Sequence, residues 1–366
     1  MFRQVICSSG RLGSKASRQN LSFILKRNNS TPVAATQVEL EEWSSARPFE
    51  EIPGPKPLPL IGNIWRFLPY IGTLSTDFSV QFYKLYNEFG TIVKLEGIPG
   101  RNNMVSLYNP DDIEKVFRNE GPWPRREGIR SALYYRQVLR KDFFEGVGGA
   151  LITQGEEWHT FRTKVNQIML QPKTTKLYVQ PIDAVATDFI ERIRKIRNND
   201  LEMPEDFSNE LCKWALESVM YISLDTRLGC LAEDLPPDSE PQKMIDTVQV
   251  LFDSMYNLDF KLSPWRIIST PQWRKFVKAS DYFTNVCVKY IEQALTRLKT
   301  LPPDSDRELT IVEKILARDS NPKTAIVMAI DMMSAGVDTV KYCLILIHKI
   351  MHANTHCTLH KLEPTL

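Results

Sequence analysis

No acidic side chain occurs before Glu39. No run of 18 apolar residues occurs anywhere in the 366, which excludes an ordinary transmembrane helix. Cysteine is sparse and scattered (Cys7, Cys212, Cys230, Cys287, Cys343 and Cys357), with no CxxC pair. That pattern argues against a disulfide framework or a zinc knuckle and fits a reducing compartment. An excess of charge of one sign is also missing: 46 basic residues face 44 acidic ones, so nothing marks a nucleic-acid binder. There is no internal repeat and no low-complexity tract.

What the first segment does contain is Arg3, Arg11, Lys15, Arg18, Lys26 and Arg27, with six serines (Ser8, Ser9, Ser14, Ser17, Ser22 and Ser30) in the same stretch. An Arg- and Ser-rich, acid-free leader is the pattern of a mitochondrial transit peptide, and residues 1–36 are assigned to one. A basic disordered tail is the alternative reading.

Pro53-Gly54-Pro55-Lys56-Pro57-Leu58-Pro59 is too rich in proline for a helix or a central strand. It reads as a stiff extended segment, and in isolation equally as an SH3-type ligand or a linker. Apolar spacing then predicts a helix over 76–89, ending at Gly90. Thr91–Leu95 and Met104–Tyr108 predict a β-hairpin. Asn109-Pro110-Asp111-Asp112 predicts a helix start, with a capping side chain, proline in the first turn and two acids facing the dipole. Beyond it the pattern is helical, at about 155–170, 174–196, 207–223, 241–256, 271–299, 308–318 and 321–350. The fold class is mostly α with a small β element towards the N-terminus.

The segment from Thr324 to Met333, TAIVMAIDMM, is apolar on nearly every side and predicts a buried helix. Into that helix fall Gly336, Val337, Asp338 and Thr339, which cost roughly 2–3 kcal/mol in helix propensity relative to alanine. Ala335 and Gly336 leave room for a flat cofactor or a diatomic ligand to approach the backbone. The Thr339 hydroxyl can reach back to the Ala335 carbonyl and loosen that turn. Asp338 supplies a titratable group suited to a proton relay. A plain helix kink with a solvated Asp338 is the competing reading.

In GEEWHTFR, Trp158 and Arg162 sit one turn apart on one helix face, an indole N–H and a guanidinium together. Such donors suit carboxylates; the alternative is a core tryptophan with an arginine snorkelling past it. Within 207–229, Leu211, Trp214, Ala215 and Ser218 read as core. Trp265 and Trp273, among Arg266, Arg274, Lys275 and Lys278, read either as a membrane-surface patch or as the lead-in to the next helix. Four of the five histidines, His348, His352, His356 and His360, fall near the end at four-residue spacing, with Cys357 beside them. His352 with His356 has metal-binding spacing, but the abrupt change of composition reads better as a tail of different origin, and no metal site is assigned.

Taken in order, the proline-rich PGPKPLPLIGN, NPDDIEKVFRNEGPWPRR, the WxxxR of Trp158 and Arg162, WALESVMYISLDTRLG and AGVDT resemble a cytochrome P-450 of the mitochondrial branch. The likeness is to the insect group associated with xenobiotic metabolism, and it runs from about Glu51 through Thr339. It implies an incomplete P-450 fold over 37–339 ending in the central I helix, followed by a non-family tail over 340–366. It implies a haem b monooxygenase hydroxylating an apolar steroid-like or xenobiotic substrate with O2. Electrons would come from mitochondrial ferredoxin and its NADPH-dependent reductase. The implied location is the matrix side of the mitochondrion, in peripheral contact with the inner membrane, with no nucleic-acid partner. Trp158 and Arg162 would hold the haem propionates, Ala335 and Gly336 would line the oxygen groove, and Asp338 and Thr339 would deliver protons.

The departures from the family pattern lie after AGVDT. No ExxR helix follows, and none of the six cysteines has Gly four residues and Arg two residues before it, as FxxGxRxCxG requires. Without a proximal thiolate the iron lacks the electron push for O–O cleavage. The expectation for these 366 residues is therefore catalytic incompetence, with a non-catalytic binding or interaction module as the alternative function.

Overall fold

In the computed structural model the described residues are 6–9, 46–67, 72, 78–98, 102–126, 129–261, 263–300, 309–319 and 321–361. Over 6–9 and 346–361 only the backbone is described. The chain divides into two compact units near residue 127, each with its own core.

In the first unit the proline-rich segment is built into the fold. Proline cannot donate, so the segment is held through its carbonyls: Pro53 O accepts from the Lys94 amide at 2.8 Å. Asn63 is wholly buried and Nδ2 donates to Pro55 O at 3.0 Å and to Glu96 O at 2.7 Å. Gly62 adopts φ +56°, and a Cβ there would stand 1.5 Å from Gly97 O, so only glycine closes this turn. Helix α1 (Phe78–Phe89) ends at Gly90 as its spacing predicts. Strand β1 (Ile6–Ser9) and strand β2 (Ile92–Leu95) flank β3 (Asn103–Leu107), both antiparallel to it, with Val93 opposite Ser106 and Leu95 opposite Met104. The predicted hairpin is β2–β3, while β1 lies within the stretch assigned above to a leader. Helix α2 (Pro110–Asn119) is capped by Asn109, whose side chain accepts from the Asp111 amide.

The second unit is helical. It comprises α3 (Arg130–Tyr134), a π-helical turn Tyr135–Leu139, α4 (Lys141–Phe144), α5 (Gly155–Met169), α6 (Pro172–Leu177) and α7 (Val179–Ile196). Then come α8 (Phe207–Leu224), α9 (Glu240–Met255) with a second π-helical turn Tyr256–Phe260, α10 (Pro271–Thr300), α11 (Ile311–Arg318) and α12 (Pro322–Lys361). Four predicted boundaries move, the largest being the end of α12, which lies at Lys361 rather than 350. The helix expected over 174–196 is interrupted at Tyr178, α11 starts at Ile311 rather than 308, and α9 runs on into a π-helical turn. The start of α11 follows from a capping box in which Thr310 Oγ1 accepts from the Glu313 amide and Glu313 returns the bond to the Thr310 amide.

Helix α8 packs along α12 and is buried on most sides, including Glu210, Lys213 and Glu217. Buried charges need partners. Glu210 pairs with Arg192 of α7 and, at 2.7 Å, with Lys213. Glu217, wholly buried, accepts from the amides of Leu228, Gly229 and Cys230 and from Arg227 Nε at 2.7 Å. The WALES and DTRLGC portions of the motif are thus two halves of one fastening, in which a helix carboxylate caps the turn that ends its own helix. Leu211, Ala215 and Ser218 are core as expected; Trp214 is half-buried.

Candidate functional site

The two halves of the candidate site lie on α5 and α12. Helix α5 opens after Gln154, with Gly155 at φ +60° and two acids, Glu156 and Glu157, in its first turn. Its buried face is Phe161, Val165 and Ile168. Trp158 and Arg162 stand beside that stripe, both half-buried. Neither the indole N–H nor the guanidinium has a hydrogen-bond or ion-pair partner among the described residues. An arginine half out of water with no protein partner is an uncommitted donor set, the arrangement an anionic ligand requires.

Helix α12 runs through Ala335–Thr339 without a break in its helical assignment. Ala325, Val327, Met328, Ala329, Ile330 and Met333 are buried, as the all-round apolar pattern predicts. The Thr339 hydroxyl donates to Ala335 O at 2.6 Å, the back-bond the spacing predicts. Val337 is buried, Ala335, Gly336 and Asp338 are half-buried, and Thr339 is exposed. The bare side of Gly336 faces α8: a Cβ there would lie 2.6 Å from Val219 Cγ2. Its missing side chain therefore lets two helices close together. Among the described residues no hydrogen bond or ion pair links Trp158 or Arg162 to Ala335, Gly336, Asp338 or Thr339.

Asp338 Oδ1 pairs with Lys341 Nζ at 2.6 Å, one turn onward. Burial of Lys341 works against its charge, but the hydrogen bond it donates to Asp338, together with the nearby negative charge, holds the ammonium above the ordinary lysine range. Lys341 belongs to the segment that sequence reasoning set aside as a tail. Its signal was available, since an acid and a lysine three apart on a helix share a face.

A second acid on α12 also escaped notice. Asp331, two turns before Asp338, is buried and pairs with Arg136 at 2.7 Å. An aspartate inside TAIVMAIDMM has no apolar role, so the composition alone demanded a cation. Where that cation would come from, almost 200 residues earlier, no local pattern shows.

Burial raises the thiol pKa values of Cys212, Cys230 and Cys287, so these three stay protonated at neutral pH. Trp265 and Trp273 stack on each other at 4.7 Å, and Trp265 Nε1 donates to Leu258 O; Trp265 is buried and Trp273 half-buried against the core. The exposed apolar groups of that loop are instead Ile267 and Ile268, 88% and 62% accessible, beside exposed Arg266, Arg274, Lys275 and Lys278. The side chains of His348, His352, His356, His360 and Cys357 lie outside the described residues. No helix among the described residues is long and apolar enough to cross a membrane.

A family-wide profile described as Cytochrome P450 matches residues 52–349. The chain is 41% identical over 301 residues to "Probable cytochrome P450 301a1, mitochondrial" of Drosophila melanogaster, covering 82% of this chain and 54% of that protein. It is 37% identical over 319 residues to "Probable cytochrome P450 49a1" of the same fly, covering 85% and 54%. To "Cytochrome P450 CYP12A2" of Musca domestica it is 36% identical over 319 residues, covering 86% and 58%. The chain thus spans little more than half the length of the curated relatives it matches.

Proposed function

The chain belongs to the cytochrome P450 family, in its mitochondrial branch, and from that membership we propose that it derives from a haem b monooxygenase acting on an apolar steroid-like or xenobiotic substrate. Electrons would reach it from mitochondrial ferredoxin and the NADPH-dependent reductase behind it. The observation that carries the reading is the uncommitted pair Trp158 and Arg162.

When bound, haem b supplies the activation of O2 and the transfer of one oxygen atom. Trp158 Nε1–H and the Arg162 guanidinium would hold the two propionates. The arginine contributes a charge-assisted bond strengthened by its half-buried setting. Ala335 would keep the α12 backbone free of bulk at the oxygen groove, while the bare side of Gly336 is taken up by Val219 of α8. The Thr339 hydroxyl, anchored on Ala335 O, keeps its lone pairs available to accept a proton bond. Asp338 holds the acid position beside it, fixed in place by the Lys341 ammonium. Together these side chains orient the group and provide a proton path.

The proximal ligand is a different matter. None of the six cysteines stands in the family's haem-ligand loop, and the buried thiols are held protonated. With no cysteine in that motif, no monooxygenase turnover is the outcome proposed for these 366 residues by themselves. A second reading, a non-catalytic haem- or partner-binding module, rests on the same missing thiolate. The test is the reduced carbon-monoxide spectrum of the 366-residue chain after haemin loading. Haem uptake without the red-shifted thiolate band is expected; that band in full amplitude would refute the claim of incompetence.

For location, the acid-free basic leader and the mitochondrial naming of the relatives support import into the mitochondrion. Exposed Ile267 and Ile268, next to Arg266 and shortly before exposed Arg274, Lys275 and Lys278 of α10, support a peripheral contact with an anionic membrane surface.

A further inference from the structure

The two halves of the candidate site are joined by a cluster that neither half uses. Arg136 lies in the first π-helical turn, with its side chain 10% exposed; Asp331, one turn before Ala335 on α12, is 2% exposed. Between them passes the buried turn Gly148-Gly149-Ala150. Arg136 Nη1 donates to Gly148 O at 2.8 Å, and the Ala150 amide donates to Asp331 Oδ2 at 3.0 Å. Asp331 Oδ1 takes the ion pair with Arg136 Nη2.

The turn leaves no slack. Gly149 has φ +91°, and a Cβ there would lie 2.5 Å from Asp331 Oδ2, 2.7 Å from Arg136 Nη1 and 2.8 Å from Val327 Cγ1. Its carbonyl accepts from Thr153 Oγ1 at 2.5 Å, and two residues after Thr153 helix α5 begins. The path from Asp331 to Trp158 is therefore a short, hydrogen-bonded piece of chain with Gly149 and Gly155 both at positive φ.

A buried pair of this kind gives little net stability, because desolvation offsets the attraction. What it does well is fix a geometry, since both charges lose their partners if the elements slide. We propose that Asp331 and Arg136 are positioning residues that set the distance between the α5 donor pair, Trp158 and Arg162, and the Ala335–Thr339 segment of α12. The proposal rests on the haem reading of those two halves.

The test uses the full 366-residue chain with paired spin labels at two exposed positions outside the cluster, Thr163 on α5 and Tyr342 on α12. A keto amino acid carries the labels, which leaves the native cysteines untouched. Asp331→Asn and Arg136→Met are expected to broaden the inter-label distance distribution and to weaken haemin binding by about tenfold. Arg136→Lys, which keeps the charge, is expected to restore most of both. Arg192→Met, which breaks another largely buried pair, with Glu210, and leaves that acid only Lys213, should destabilise the fold without broadening the distribution. Should Asp331→Asn not fold, Arg136→Met, which leaves the Ala150 amide its acceptor, carries the comparison. A distribution unchanged in the folded variants, or broadened as much by Arg192→Met, overturns the proposal. If the wild-type chain takes up no haemin, the cofactor reading fails, and the joint is decided by the distance measurement alone.

Discussion

Lys341 Nζ sits 2.6 Å from Asp338 Oδ1, so the acid assigned to proton delivery is neutralised by a buried cation on its own helix. The pair ties the family's AGVDT segment to the stretch of α12 immediately after it.

Replacing Lys341 with methionine leaves Asp338 without its cation. A loss of about 1–2 kcal/mol is expected at neutral pH, between the cost at an exposed pair and that at a fully buried one. The folded-state pKa of Lys341 is raised, so its contribution is fully present below the ordinary lysine value and is lost as pH rises through the folded value. Urea unfolding of wild type and Lys341→Met at neutral and strongly alkaline pH measures this. The difference should shrink in the alkaline range, and a constant difference would show that the pair contributes no linkage.

Gly336→Ala should destabilise by about 1–3 kcal/mol, because the new methyl meets Val219 Cγ2 across the α8–α12 contact. Val219→Ala removes the obstructing branch. The double variant should regain part of the loss in the same unfolding measurement, giving a coupling well outside additivity.

Ile267→Asp with Ile268→Asp should abolish flotation of the chain with vesicles containing anionic lipid, leaving its unfolding midpoint close to wild type because both side chains are exposed. Binding of the wild type should fall with added salt, as expected where Arg266, Arg274, Lys275 and Lys278 take part. Flotation that survives the double substitution would place the membrane contact elsewhere.

Much of this was legible in the amino-acid order because it is local. The Asn109 cap, the end of α1 at Gly90, the β2–β3 hairpin, the buried run of α12 and the Thr339 back-bond all follow from spacing within a few residues. What escaped was set by distant partners. The break at Tyr178 is the exception, since Pro181, which has no N–H to donate, belongs in the first turn of a new helix rather than inside a long one. Composition left Trp265 and Trp273 open as a membrane-surface patch or as the lead-in to α10; they stack on each other with Tyr134 edge-on to both. Gly336 was read as clearance for a ligand, while its bare side is filled by Val219. Arg136 and Asp331 are joined only by the folded chain.

The donor pair on α5 is open to the most direct measurement: haemin titration of the 366-residue chain, followed by quenching of tryptophan fluorescence and growth of the Soret band. Wild type should bind with defined stoichiometry. Arg162→Met and Trp158→Phe should each weaken binding by roughly tenfold, the loss of one hydrogen bond to a charged group. Since neither donor has a protein partner, both variants should unfold within about 0.5 kcal/mol of wild type. Equal haemin affinity in wild type and both variants would contradict the assignment of Trp158 and Arg162 as the propionate-holding residues.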